Sequence, residues 1–152
     1  MLKGNKITIL TEPTYESPMT NIGAFKRYVK KALGYSERGP NAVLRSLMNG
    51  FKCEGVNFNY NPKSRKDVGG SVIVLSHIEA LREAIELKRA GKIKKLLAGP
   101  NLVNLPSDNL ELITHPLIDY YLVNSQWTYD MYIQDAPVLR HRCLIWPTGV
   151  DA

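Results

Sequence analysis

The run SVIVLS at residues 71–76 constrains the fold more than any other stretch. Val72, Ile73, Val74 and Leu75 are apolar without alternation, so both faces of that segment have to be covered. A strand buried on both faces belongs to a parallel sheet with helices above and below it. A helical pattern follows directly at residues 78–90. Ile78, Leu81, Ala84 and Ile85 share one face, and Gly91 closes the segment.

The same order of strand and helix recurs along the chain. KITIL at 6–10 is a first buried strand, GVNFNY at 55–60 a second, and KKLLA at 94–98 a weaker one. IDYYLV at 118–123 and CLIW at 143–146 are the last two. A helix is expected at 21–33, with Ile22, Phe25, Val29 and Leu33 on one face and Lys26, Arg27, Lys30 and Lys31 largely on the other. Another opens at Pro40 and runs through about residue 48, with Val43, Leu44, Leu47 and Met48 as its stripe and Gly50 as its end. Ser125 is an N-cap for a helix reaching about residue 135, before Pro137. The alternation predicts one α/β domain of three layers, Rossmann-like, around a mostly parallel sheet. One link is unlike the others. The second and third strands are joined by about ten residues without a helix, short of a usual parallel crossover.

A chain of 152 residues with 44% hydrophobic and 22% charged residues has the length and composition of one folded domain rather than a disordered segment. No apolar run is long enough to span a bilayer. The apolar stretch near the N-terminus is too short for a secretory leader, so a cytoplasmic protein is expected. Cys53 and Cys143 belong to no CxxC or Cys/His spacing, which predicts free, buried or half-buried thiols in a reducing compartment and no metal site. The net charge of +6 permits attraction to anionic lipids, phosphorylated substrates or nucleic acid without choosing among them. No RNP-like aromatic sheet, zinc finger or helix-turn-helix spacing is present, so no nucleic-acid partner is expected. The basic segment 21–33 reads either as a surface helix packed on the core or as a peripheral membrane contact.

The segment 118–151, IDYYLVNSQWTYDMYIQDAPVLRHRCLIWPTGVD, resembles the end of the N-terminal domain of GT-B glycosyltransferases, in the large retaining family that uses nucleotide-sugar donors. The likeness rests on Asn124, Ser125, Trp127, Pro147, Gly149, Val150 and Asp151, in that order. Gly39-Pro40-Asn41 is the best match to the glycine turn that opens the family's first helix, with Arg38 in place of a second glycine. On that alignment residues 11–38 are an insertion. His77, directly after a buried strand, matches a histidine many members carry.

The resemblance implies the acceptor-binding half of a GT-B enzyme, with the donor-binding domain beyond residue 152 in cis, or supplied in trans. The complete protein would transfer a sugar from a UDP- or GDP-linked donor to a glycan or lipid-linked acceptor, and this half alone would bind no cofactor and have little activity. The rival reading is a stand-alone, non-catalytic α/β binding module. On the family pattern His77 would be the catalytic-site histidine, holding the donor sugar or orienting the acceptor; the alternative is a capping or half-buried histidine with no such role. Gly39, Pro40 and Asn41 would cradle the donor phosphates at a helix N-terminus, where unpaired N–H groups favour anions, or would form a plain turn with Asn41 as cap. Asn101, Asn124 and Ser125 would line the acceptor cleft, although Asn101 fits a turn and Ser125 an N-cap equally. His115 reads as structural and His141 as solvated. Trp127 and Met131, four residues apart on a helix, read as core packing.

Overall fold

In the structure Val72 and Val74 pack on one side of the sheet and Ile73 and Leu75 on the other, as an unalternating apolar run requires. The structure is a computed structural model that describes residues 6–14, 40–99 and 105–147. The strands are β1 (Ile7–Leu10), β2 (Phe58–Tyr60), β3 (Gly70–Val74), β4 (Ile93–Ala98), β5 (Tyr120–Val123) and β6 (Cys143–Ile145). All pair in parallel, in the order β2-β1-β3-β4-β5-β6. Between them lie helices α1 (Pro40–Cys53), α2 (Ile78–Arg89), α3 (Leu110–Ile113) and α4 (Gln126–Asp135). The result is a Rossmann-like three-layer α/β domain. No helix among the described residues is long and apolar enough to cross a membrane.

One face of the sheet carries α2, α3 and α4. Leu81, Ala84, Ile85, Ile113, Tyr132 and Ile133 pack there against Val72, Val74, Leu96 and Tyr121. The other face carries α1, where Leu44, Leu47, Met48 and Phe51 join Ile9, Ile73, Leu75 and Leu122. On the first face the buried Tyr121 and Tyr132 rings lie 5.6 Å apart. Burial there pushes the Tyr132 hydroxyl up to about 12 and the Cys143 thiol up to about 11, so these groups stay neutral and serve packing. Both cysteines are free, as expected, but only Cys143 is buried: Cys53, in the last turn of α1, is exposed.

Two expectations need correcting. Gly50 does not end α1. The helix runs to Cys53 and closes at Gly55, whose φ is +64° and whose amide donates to the Lys52 carbonyl at 3.1 Å. The Val56 amide donates to Phe51 at 2.8 Å, which completes the helix-ending pair of bonds. Continuing past Gly50 places the Phe51 ring 5.6 Å from Phe58. A mid-helix glycine costs about 1 kcal/mol, and burying an aromatic ring returns more than that.

The short link between the second and third strands is no crossover between neighbours, because β2 and β3 flank β1 on opposite sides. Residues 61–69 run back over β1 as an extended strap, with one 3-10 turn at Arg65–Asp67. Val68 enters the core, and Thr8 Oγ1 donates to the Gly69 carbonyl at 3.2 Å. Six extended residues and one 3-10 turn reach roughly 25 Å, ample to retrace a four-residue strand.

The amino edge of the sheet is tied by polar contacts. Asp119 accepts from the Leu96 amide at 2.7 Å and pairs with Lys88. Burial works to raise this carboxyl, but Lys88 and the Leu96 amide outweigh it and hold Asp119 below its ordinary range. Arg142 spans three carbonyls, donating to His115 and Ile118 through Nη1 at 3.0 Å and to Thr114 through Nη2 at 2.9 Å.

Candidate functional site

Strand order creates the candidate site. The chain leaves β1 for β2 on one side and then returns to β3 on the other, so the order reverses at β1. In open α/β sheets ligands bind at the carboxyl ends of the strands beside such a reversal, where the flanking connections diverge and open a crevice. Here that edge gathers Thr11 and Glu12 after β1, Asn61 after β2, and Ser76 and His77 after β3.

Two of these residues hold unusual backbone. Among the described residues the non-glycine positions with positive φ are Asn61 at +40° and Ser76 at +58°, one on each side of the end of β1. Such conformations cost on the order of 1 kcal/mol each and persist where neighbours over-determine them. Asn61 is so determined. Its amide donates to the Ile9 carbonyl at 3.0 Å, and its side-chain oxygen accepts from the Thr11 amide at 2.8 Å. Its side-chain nitrogen donates to Thr11 Oγ1 at 2.8 Å and Glu12 Oε1 at 3.3 Å. The Tyr60 and Thr11 hydroxyls share a bond of 3.1 Å. Asparagine suits the position because it tolerates left-handed backbone and carries both a donor and an acceptor.

His77 is the N-cap of α2. Its Nδ1 accepts from the Ala80 amide at 3.3 Å. An accepting Nδ1 places the ring proton on Nε2, so the half-buried side chain offers one N–H donor at the carboxyl edge. The capping role and the role implied by the resemblance are therefore compatible, since they use different nitrogens.

Asn124 and Ser125 leave β5, two strands from β3, roughly 10 Å along the same edge. Ser125 caps α4, its Oγ accepting from the Thr128 amide at 3.1 Å. The Ser125 and Thr128 hydroxyls share a bond of 2.9 Å, and Thr128 Oγ1 donates to Asn124 Oδ1 at 2.9 Å. The exposed Asn124 keeps its side-chain NH2 for other partners, while the Ser125 hydroxyl is committed to the helix. Between the two groups Gly99 ends β4 at φ +87°, and a Cβ there would overlap the Leu122 carbonyl oxygen. Glycine lets β4 and β5 stay close at this edge.

Of the residues singled out in the sequence, the fold brings His77, Asn124 and Ser125 to one edge. Gly39 and Asn101 lie outside the described residues, as do the basic segment 21–33 and residues 148–151 of the resemblance. Pro40 is the first residue of α1, the position that suits proline. Asn41 is the second residue of that helix, so it is not the cap. Trp127 is not core packing. It is 72% exposed in the first turn of α4, while Met131 is partly buried against the core. His115 is structural, its Nδ1 accepting from the Leu117 amide at 3.2 Å. Burial, then Arg89 and Arg142, hold its pKa below the ordinary value. His141 is exposed.

Sequence reasoning missed Thr11, Glu12, Tyr60 and Asn61. The available signal was a polar residue directly after each of two strands, and it acquires meaning only once β1 and β2 are known to be neighbours.

No group of three or more His, Cys, Asp or Glu side chains able to hold a metal ion occurs among the described residues. A concavity of about 400 Å3 lies on the α1 face between that helix and Trp146 and Pro147. Its lining includes Leu47, Phe51 and Val56, and none of Thr11, Asn61, His77 and Asn124. No protein-family model, curated protein or solved structure matches the chain.

Proposed function

We propose that this domain is the acceptor-binding half of a glycosyltransferase that takes its sugar from a UDP- or GDP-linked donor. The observation that carries the reading is the placement of several hydrogen-bonding side chains on the carboxyl edge. His77 Nε2, the Asn124 amide, Tyr60 and the Thr11-Asn61 group suit a polyhydroxylated ligand, which asks for both donors and acceptors. The ordered likeness at 118–151 supplies the reaction class. The diphosphate of the donor would be held by a second domain, in cis or in trans, because the Glu-x7-Glu segment of the family belongs there. In this reading His77 orients an acceptor hydroxyl, Asn124 anchors the sugar ring, and Gly39, Pro40 and Asn41 contribute to binding the donor phosphates, as the resemblance implies. Ser125 acts through α4, which it caps. A cytoplasmic site, with peripheral membrane contact through 21–33 for a lipid-linked acceptor, fits the same reading.

Titration of UDP-glucose and GDP-mannose into the 152-residue chain tests it. The half-enzyme reading predicts no tight donor binding and no turnover by this chain alone, with both recovered when a donor-binding domain is present. Tight binding and turnover by the isolated chain would contradict it. A longer reading frame without a Glu-x7-Glu segment would favour the non-catalytic binding module.

A further inference from the structure

Residues 11–14 cross the carboxyl edge as a strap pinned at both ends. At one end Thr11 is held by Asn61. At the other, the Thr14 amide donates to Glu83 Oε2 at 2.8 Å, and the Thr14 hydroxyl donates to Glu83 Oε1. Arg65 Nε donates to the same Oε1 at 2.6 Å. Thr14 and Glu83 are 5% and 3% exposed, so this contact is made almost without water.

A buried carboxylate is costly unless its oxygens are filled, and once filled it holds its donors strongly. Glu83 collects them from the strap after β1 and from the connection before β3, and it stands on α2, the helix that presents His77. Leucine would suit the inward face of α2 equally well, as Leu87 does one turn later. It would leave the Thr14 amide and Arg65 without this acceptor.

The strap is short. Three Cα–Cα steps reach at most roughly 10 Å, and Pro13 fixes one φ. Moving Thr14 therefore moves Thr11 and Glu12. Those two residues supply contacts that hold the left-handed backbone of Asn61.

We propose that Glu83 is a positioning residue for the crevice at the reversal of strand order: by fixing Thr14 it sets Thr11 and Glu12, and through them Asn61 and Tyr60. Its relevance to ligand binding rests on the reading that this crevice takes the acceptor, but the coupling is measurable without a ligand.

The experiment uses the full chain, 15N-labelled, as wild type, Glu83→Gln and Thr14→Val. Thr14→Val removes only a hydroxyl and keeps the Glu83-Arg65 contact, so it serves if Glu83→Gln folds poorly. Both variants are expected to shift the side-chain amide pair of Asn61. They should also speed hydrogen exchange at the Thr11 and Thr14 amides, by about tenfold for Glu83→Gln, while the Leu96 and Leu122 amides keep their rates. Movement of Thr14 with Asn61 and Thr11 unchanged would overturn the proposal, since Glu83 would then anchor Thr14 alone. A uniform rise in exchange across the sheet would overturn it too, because that reports global stability. Maltotriose, chitotriose and mannotriose added to the same samples separate the two ideas. Absence of wild-type binding to all three with the Asn61 shift intact would count against the acceptor reading and for the coupling.

Discussion

Gly99→Ala is expected to lose about 3–5 kcal/mol of folding stability, read as a lower urea midpoint at unchanged slope. Two causes add. The backbone at Gly99 has φ +87°, which a Cβ disfavours, and the Cβ would overlap the Leu122 carbonyl oxygen. Relief requires β4 and β5 to part at the edge that carries His77 and Asn124, because the obstructing atom is backbone. Binding at that edge should weaken together with stability. A change below about 1 kcal/mol, the usual range for a tolerated substitution, would show that the two strands do not approach as described.

Arg142→Ala should cost about 2–4 kcal/mol, because it leaves the Thr114, His115 and Ile118 carbonyls without their shared donor. Arg142→Lys should recover only part of that, since an ammonium is a point donor and cannot span the guanidinium's fork. The arginine lies far from the proposed crevice, at the amino edge, so its loss should change stability and leave the amide shifts of Thr11, Asn61 and His77 unaltered in the folded fraction. Urea denaturation of both variants checks the order. Equal stability of Arg142→Lys and wild type would mean that charge, and not the fork, matters there.

Some of this was legible in the sequence. The segment 71–90 declared itself because burial on both faces, a cap at His77 and a closing glycine at Gly91 all agree with its structure. Ser125 likewise marked the start of α4. Hydropathy carries no pairing partner, so strand order stayed hidden, and with it the meaning of Asn61, Thr11 and Glu12. Gly50 has the residue type of a helix end, yet α1 runs on and closes at Gly55, favoured by the Phe51-Phe58 contact, which a local pattern does not contain. Trp127 and Met131 had the spacing of a packed pair, yet of α4 only Tyr132 and Ile133 are buried. Glu83 reads in sequence as one more solvated helical glutamate. It is buried because its partner Thr14 arrives from 69 positions away.

The most direct test of acceptor binding at the carboxyl edge is an amide chemical-shift titration of the 15N-labelled chain with maltotriose, chitotriose and mannotriose. Binding predicts saturable shifts at Thr11, Asn61, Ser76, His77 and Asn124 with at least one of these sugars. His77→Asn keeps a capping side chain but removes the Nε2 donor, and should weaken that binding by about tenfold. Shifts confined to the α1 groove around Phe51 and Trp146, no saturable shift at the carboxyl edge with any of the sugars, or a His77→Asn variant that binds as wild type does, would contradict it.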